Sequence, residues 1–235
     1  MSTALLSVQK LSSGYGASAV LRDVSFDIAK GEIFVVLGKN GMGKSTLVKT
    51  IMGFVRPTGG TVLFNSKVVT GVQPHLMSRL GVAHAPQEHT LFTDLSVEDN
   101  LKVGVPTDQL FQKRLGAIEL VFPRMLERLK QRAGTLSGGE QKMLLMSRAL
   151  IAEPKLMLID EISEGLQPAM VDRMSETLVK IRDELNIAVI LVEQNLNFAL
   201  SIANRYAVLK LGEIVDHGVA DSHTSVKRLS GHLMI

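Results

Sequence analysis

The stretch Gly38-Lys39-Asn40-Gly41-Met42-Gly43-Lys44-Ser45-Thr46 follows the apolar run Ile33-Phe34-Val35-Val36-Leu37 and opens the helical pattern of residues 44–52. From Gly38 to Ser45 it fits the spacing G-x-x-x-x-G-K-[ST] of a phosphate-binding P-loop, and it stands where that chemistry needs it, after a strand and at the start of a helix. Glycines let successive backbone N–H groups turn inward into an anion-binding nest, to which the helix N-terminus adds its partial positive charge. Lys44 is expected to reach the β- and γ-phosphates of a nucleotide, and Ser45 to offer its hydroxyl to Mg²⁺.

A second apolar run, Leu156-Met157-Leu158-Ile159, ends in Asp160-Glu161. Strands of an open α/β sheet deliver the residues at their C-terminal ends to the ligand. Asp160 is therefore expected to hold Mg²⁺ through water, and Glu161 to accept a proton from the water that attacks the γ-phosphate.

Around these two strands, short apolar runs alternate with helical patterns, which argues for a parallel or mixed central sheet packed with helices. Residues 1–30 alternate apolar and polar (Leu6, Val8, Leu11; Val20, Leu21, Val24, Phe26, Ile28), as antiparallel strands at an edge would. A hairpin is expected over Thr61–Phe64 and Lys67–Val69, a short helix over His75–Leu80 and a strand over Gly81–Ala85. Residues 96–132 read as mainly helical, broken at Pro106 and Pro123, and with the helix of 137–152 they suggest a helical subdomain at about 96–152. A helix over Pro168–Leu185, a strand over Ile187–Val192 and strands Tyr206–Leu211 and Glu213–Val215 follow. Without a linker or repeat, residues 1–235 are read as one domain, closed by a short tail that leaves no room for a regulatory domain.

Composition narrows the function. Cysteine is absent from the 235 residues, which excludes thiolate catalysis, Cys-based zinc sites, iron–sulfur clusters and disulfide scaffolds. Apolar residues make up 46%, but the densest runs, 33–37, 156–159 and 187–192, are far shorter than the ~20 residues of a spanning helix. Residues 1–7 lack the charged and apolar segments of a secretory signal, so the chain is expected to stay in the cytoplasm. The six histidines, His75, His84, His89, His217, His223 and His232, show no metal-ligand spacing and are read as structural. Met143 and Met146 are read as packing residues. With no tryptophan, two tyrosines and no basic–aromatic interleaving, no nucleic-acid partner is expected. The net charge of +3 is unevenly placed: Lys113, Arg114, Arg124, Arg128, Lys130 and Arg132 face only Glu119 and Glu127 in the same segment. A solvated helical face is the ordinary reading of such a run; a face near lipid headgroups or an acidic partner is the alternative.

Leu136-Ser137-Gly138-Gly139-Glu140-Gln141, between the P-loop and the acid pair, resembles in full the signature motif of the ABC ATPases. Its Ser137 and glycine N–H groups form a second helix N-terminus able to bind an anion. The resemblance runs over essentially the whole chain and implies an ABC-type P-loop NTPase, in which the signature of one subunit closes over the P-loop of another and ATP is sandwiched between them. It implies that Tyr15 stacks on adenine, that Gln87 contacts Mg²⁺ and the attacking water, and that Ser137, Gly138, Gly139 and Glu140 meet the nucleotide from the partner. Leu91 to Leu101 resembles the start of the helical subdomain, whose groove receives a helix of the membrane permease.

Two departures from the pattern matter. Gln194 stands where most members have a histidine and is taken as its catalytic counterpart, although it cannot become a cation. Ser163-Glu164-Gly165-Leu166-Gln167-Pro168 lacks the usual aspartate, and Ile162 replaces a frequent proline. Glu164 to Pro168, Val192 to Asn195, Phe122-Pro123-Arg124 and Gln131 to Ser137 resemble the ATPase subunits of branched-chain amino-acid importers and of related urea and short-chain amide importers. That resemblance implies a hetero- or homodimer with a second ABC ATPase, membrane permease subunits, an external solute-binding protein, and a peripheral place on the cytoplasmic face of the plasma membrane. A non-transport ABC ATPase acting as an interaction switch, and a stand-alone P-loop kinase or GTPase, are the readings from other classes.

Overall fold

A computed structural model describes residues 4–87, 91–221, 224 and 226–233. His89, His223 and the first three residues of the N-terminal segment lie outside them. The strands are β1 (Leu6–Tyr15), β2 (Ser18–Ile28), β3 (Ile33–Leu37), β4 (Pro57–Phe64), β5 (Lys67–Val68), β6 (Val82–Ala85), β7 (Leu156–Asp160), β8 (Ala188–Glu193), β9 (Arg205–Lys210) and β10 (Glu213–Val219). The helices are α1 (Lys44–Met52), α2 (Pro74–Leu80), α3 (Val97–Lys102), α4 (Asp108–Val121), α5 (Pro123–Glu127), α6 (Gly138–Leu150), α7 (Pro168–Leu185), α8 (Leu196–Ile202) and α9 (Val226–Leu233).

Two sheets result. The central one runs β10-β9-β3-β8-β7-β6 and is parallel except for β10, which pairs antiparallel with β9. The antiparallel strands expected at an edge form a sheet of their own, β2-β1-β4-β5. The architecture is α/β.

The continuous apolar runs are explained by burial on both faces. Ile33, Val35 and Leu37 of β3, with Met157 and Ile159 of β7 and Val189 and Leu191 of β8, point to one side, onto α3, α4, α6, α7 and α8. Phe34 and Val36, with Leu156, Leu158, Ala188, Ile190 and Val192, point to the other, onto α1 and the antiparallel sheet. Alternation of side chains along a strand thus feeds two cores from one sheet. A buried Ser13–Thr50 hydroxyl contact of 2.7 Å ties β1 to α1.

Three expectations change at the periphery. The short tail contains α9, whose Leu229 is fully buried against the core on the β9 side. β10 extends to Val219, and β4 starts at Pro57, because both are held by neighbouring strands and not by their own apolar pattern. Helix α8 was not expected. It is capped by the Asn195 side chain, which accepts the Phe198 N–H at 3.2 Å, and buries Phe198, Ala199 and Ile202 at helical spacing.

Candidate functional site

β3, β7 and β8 end at one level of the sheet: Leu37 is registered against Glu193, and Asp160 against Val192. The P-loop, the acid pair and the Glu193-Gln194-Asn195 turn therefore leave the sheet together. The Gly38 N–H donates to the Glu193 carbonyl at 3.2 Å, and a Cβ at Gly38 would lie 2.7 Å from the Leu209 carbonyl oxygen. Gly41 and Gly43 take φ values of 80° and 104°, the left-handed region that lets N–H groups point into one concavity.

Within this turn the charges are compensated. Lys44 Nζ donates to the Lys39 carbonyl at 2.9 Å and lies 2.8 Å from Glu161 Oε1, with both side chains at most 4% exposed. Gln87 Nε2 donates to Glu161 Oε2 at 3.0 Å and to Glu164 Oε2 at 2.5 Å. A cleft of about 280 Å³ is lined by Asn40, Gly41, Gly43, Lys44, Ser45 and Thr46 with Val20, Gln87 and Glu161. Lys39 and Met42 do not line it. Met42 rests on the β9–β10 turn, where its carbonyl accepts the Gly212 N–H at 3.1 Å.

Asp160 does not line the cleft but is buried next to it, hydrogen-bonded to Ser45. Burial pushes its carboxyl up, as does the neighbouring Glu161 charge, while a hydrogen bond from Ser45 and the Lys44 charge pull it down. Its Oδ1 is buried without a hydrogen-bond partner. A carboxylate oxygen left free beside a hydroxyl is the hard-oxygen donor set that Mg²⁺ takes when phosphates and water complete its shell. Among the described residues no group of three or more His, Asp or Glu could enclose a metal alone.

The remaining expected residues lie apart from this cleft. Tyr15 is 52% exposed at the end of β1 and does not line it. Ser137 and Glu140 form a capping box at the start of α6, with Glu140 Oε2 accepting both the Ser137 N–H and Oγ–H at 2.9 Å. Those two bonds, with Arg128 and Arg124, hold the Glu140 carboxyl below its usual range. Ser137 and Gly138 are exposed, so this N-terminus faces outward. Gln194 is exposed, and its N–H donates to Glu193 Oε2 at 3.2 Å.

Three features escaped sequence reasoning: Glu193, Lys142 and the Leu211-Gly212 turn. Glu193 ends an apolar strand as Asp160 does, a parallel that could have drawn notice. Lys142 and Gly212 act on backbone groups distant in sequence, which no local pattern reports.

Residues 21–164 match the profile of the family described as ABC transporter. The chain belongs to that family. This ABC family member is 41% identical over 215 residues to the high-affinity branched-chain amino acid transport ATP-binding protein BraG of Pseudomonas aeruginosa, covering 91% of this chain and 92% of that one. It is 37% identical over 219 residues to the probable branched-chain amino acid transport ATP-binding protein LivF of Archaeoglobus fulgidus, covering 92% and 93%. Its fold superposes with a TM-score of 0.88 on the crystal structure of an ATP-binding cassette of an ABC transporter in its ADP conformation, at 23% identity and 98% of each chain. Among the described residues no helix is long and apolar enough to cross a membrane.

Proposed function

We propose that the chain is the ATP-hydrolysing subunit of a membrane importer for branched-chain amino acids, working as a dimer of ATPases beneath permease subunits. The observation that carries the ATPase part is the cluster of Lys44, Asp160, Glu161 and Gln87 at the ends of two parallel strands and an edge strand. The solute is supported by likeness to two relatives named for branched-chain amino acid transport, over more than nine-tenths of the chain.

In this reading the P-loop N–H groups and Lys44 bind the phosphates, and Ser45 and Asp160 hold Mg²⁺, which supplies charge neutralisation at the transferred phosphoryl group. Glu161 orients and deprotonates the attacking water. Gln87 positions Glu161, and Gln194 donates a hydrogen bond near the γ-phosphate. Ser137 and Gly138 present their outward helix N-terminus to the nucleotide of the other ATPase, and Tyr15 stacks on the base.

Phosphate release by the purified chain in MgATP tests the chemistry. Glu161→Gln is expected to lower turnover by at least about 100-fold while ATP binding persists; turnover unaffected by that change would sink the assignment of the base. Isolation of the permease that co-purifies from detergent-solubilised membranes, followed by solute binding to its external receptor, tests the cargo. Recovery of a urea or short-chain amide receptor would replace the amino-acid assignment.

A further inference from the structure

The peptide unit joining Ile162 to Ser163 is held at both poles. Its carbonyl, on Ile162, accepts from Lys142 Nζ at 2.9 Å. Its N–H, on Ser163, donates to Glu193 Oε1 at 2.9 Å. A peptide dipole of about 3.5 D thus lies between a cation from α6 and an anion from the end of β8. Lys142 also donates to the Glu164 carbonyl, and Glu193 Oε2 also accepts from Ser163 Oγ at 2.9 Å, Gln194 N at 3.2 Å and Asn195 N at 3.4 Å.

Glu193 is fully buried. A carboxylate in that place is costly unless paired and hydrogen-bonded, and all its protein bonds go to the loop after the acid pair and to the turn of Gln194. One residue earlier, Glu161 takes a φ of 45°, a left-handed conformation that a non-glycine residue holds only when its surroundings impose it. Its own side chain is tied to Lys44 and Gln87, both of which face the cleft. The clamp on the next peptide comes from outside the cleft.

We propose that Glu193 and Lys142 are positioning residues of opposite charge that fix Glu161 through the Ile162–Ser163 peptide, and that Glu193 couples this loop to the Gln194 turn. The inference rests on the ATPase reading above. Neither residue touches the reacting atoms. Their loss displaces the base without removing a phosphate ligand.

The test uses the full-length chain with Glu193→Gln, Lys142→Met, the double variant and Lys142→Arg. Misplacement of a reacting group by about 1 Å costs on the order of 100-fold, so kcat is expected to fall 10- to 100-fold in each single variant with KM for ATP within about threefold. The double variant is expected to fall no further than the worse single, since both act on one peptide, and Lys142→Arg to recover most of the loss. Hydrogen exchange gives a readout independent of hydrolysis: the amides of residues 162–166 are expected to exchange faster in both single variants while those of β7 stay protected. Unchanged kcat with unchanged exchange in that loop overturns the inference, as do losses confined to KM. If Glu193→Gln does not fold, Lys142→Met, altered at a half-buried helix position, carries the same readouts. Failure of the wild-type chain to hydrolyse ATP defeats the ATPase reading, whereas wild-type hydrolysis with unaffected variants defeats only this one.

Discussion

Burial, with the charge of Lys49 beside it, lowers the pKa of His84 from 6.5 to about 4, and its Nε2 is enclosed without a hydrogen-bond partner. Above pH 6.5 the imidazole is neutral in folded and unfolded chains alike and makes no difference. Between pH 6.5 and about 4 the unfolded chain binds a proton that the folded chain refuses, so stability falls as pH falls. Each unit is worth about 1.4 kcal/mol, giving about 2 kcal/mol by pH 5. Urea unfolding at pH 7.5 and pH 5 checks this against His84→Phe, in which that part of the acid sensitivity is expected to vanish. Burial raises the carboxyls of Asp160 and Glu193, which act in the opposite sense, so the comparison with the variant isolates the histidine.

At the scale of elements, the β9–β10 turn is the support least suspected from sequence. Gly212 has a φ of 84°, and a Cβ there would lie 1.8 Å from the Val20 carbonyl oxygen. Its N–H holds Met42 of the P-loop and its carbonyl accepts the Arg22 N–H at 2.9 Å. Gly212→Ala is expected to cost about 1–3 kcal/mol in a denaturant melt and to weaken ATP binding, although Gly212 lines no part of the cleft. This explains where sequence reading stops. β3, β7, β8 and the P-loop were legible because burial on both faces and a fixed glycine spacing are written locally. Helices α8 and α9 were not, being two turns long and stabilised by cores assembled from the rest of the chain. Asp160 and Glu161 were legible as a pair after a strand; Glu193 ends β8 just as plainly, but what a lone buried acid accepts depends on a loop thirty residues away.

Over the whole molecule, four of the six cations of the basic segment at 113–132 pair with acids from outside it. Arg114 pairs with Glu153 at 2.9 Å, Arg128 with Glu140 at 3.0 Å, Lys130 with Glu98 at 2.6 Å and Arg132 with Asp94 at 2.8 Å. The pairs that reach solvent, Lys130–Glu98 and Arg132–Asp94, contribute about 0–1 kcal/mol each, so they set local geometry more than stability. Nucleotide binding acts on the entire fold instead. At a hundredfold excess over Kd, MgATP is expected to stabilise the chain by about 2.7 kcal/mol, a rise in Tm of about 5–10 °C for this size. Lys44→Ala is expected to abolish the shift in a thermal melt.

If the cleft takes nucleotide as proposed, the ion pair between Lys44 and Glu161 would make it a discriminator that reads charge before shape. The ammonium that would meet a phosphate already holds the base at 2.8 Å with both groups buried, and parting such a pair without replacement costs about 3–5 kcal/mol. A nucleoside brings no anion to take the place of Glu161 and leaves the pair closed. On the proposed function a triphosphate would supply one, and the same exchange that admits it would free the carboxylate to act on water. Admission and arming would then be one event, and a ligand too short to reach Lys44 is expected to occupy the entrance without starting the engine.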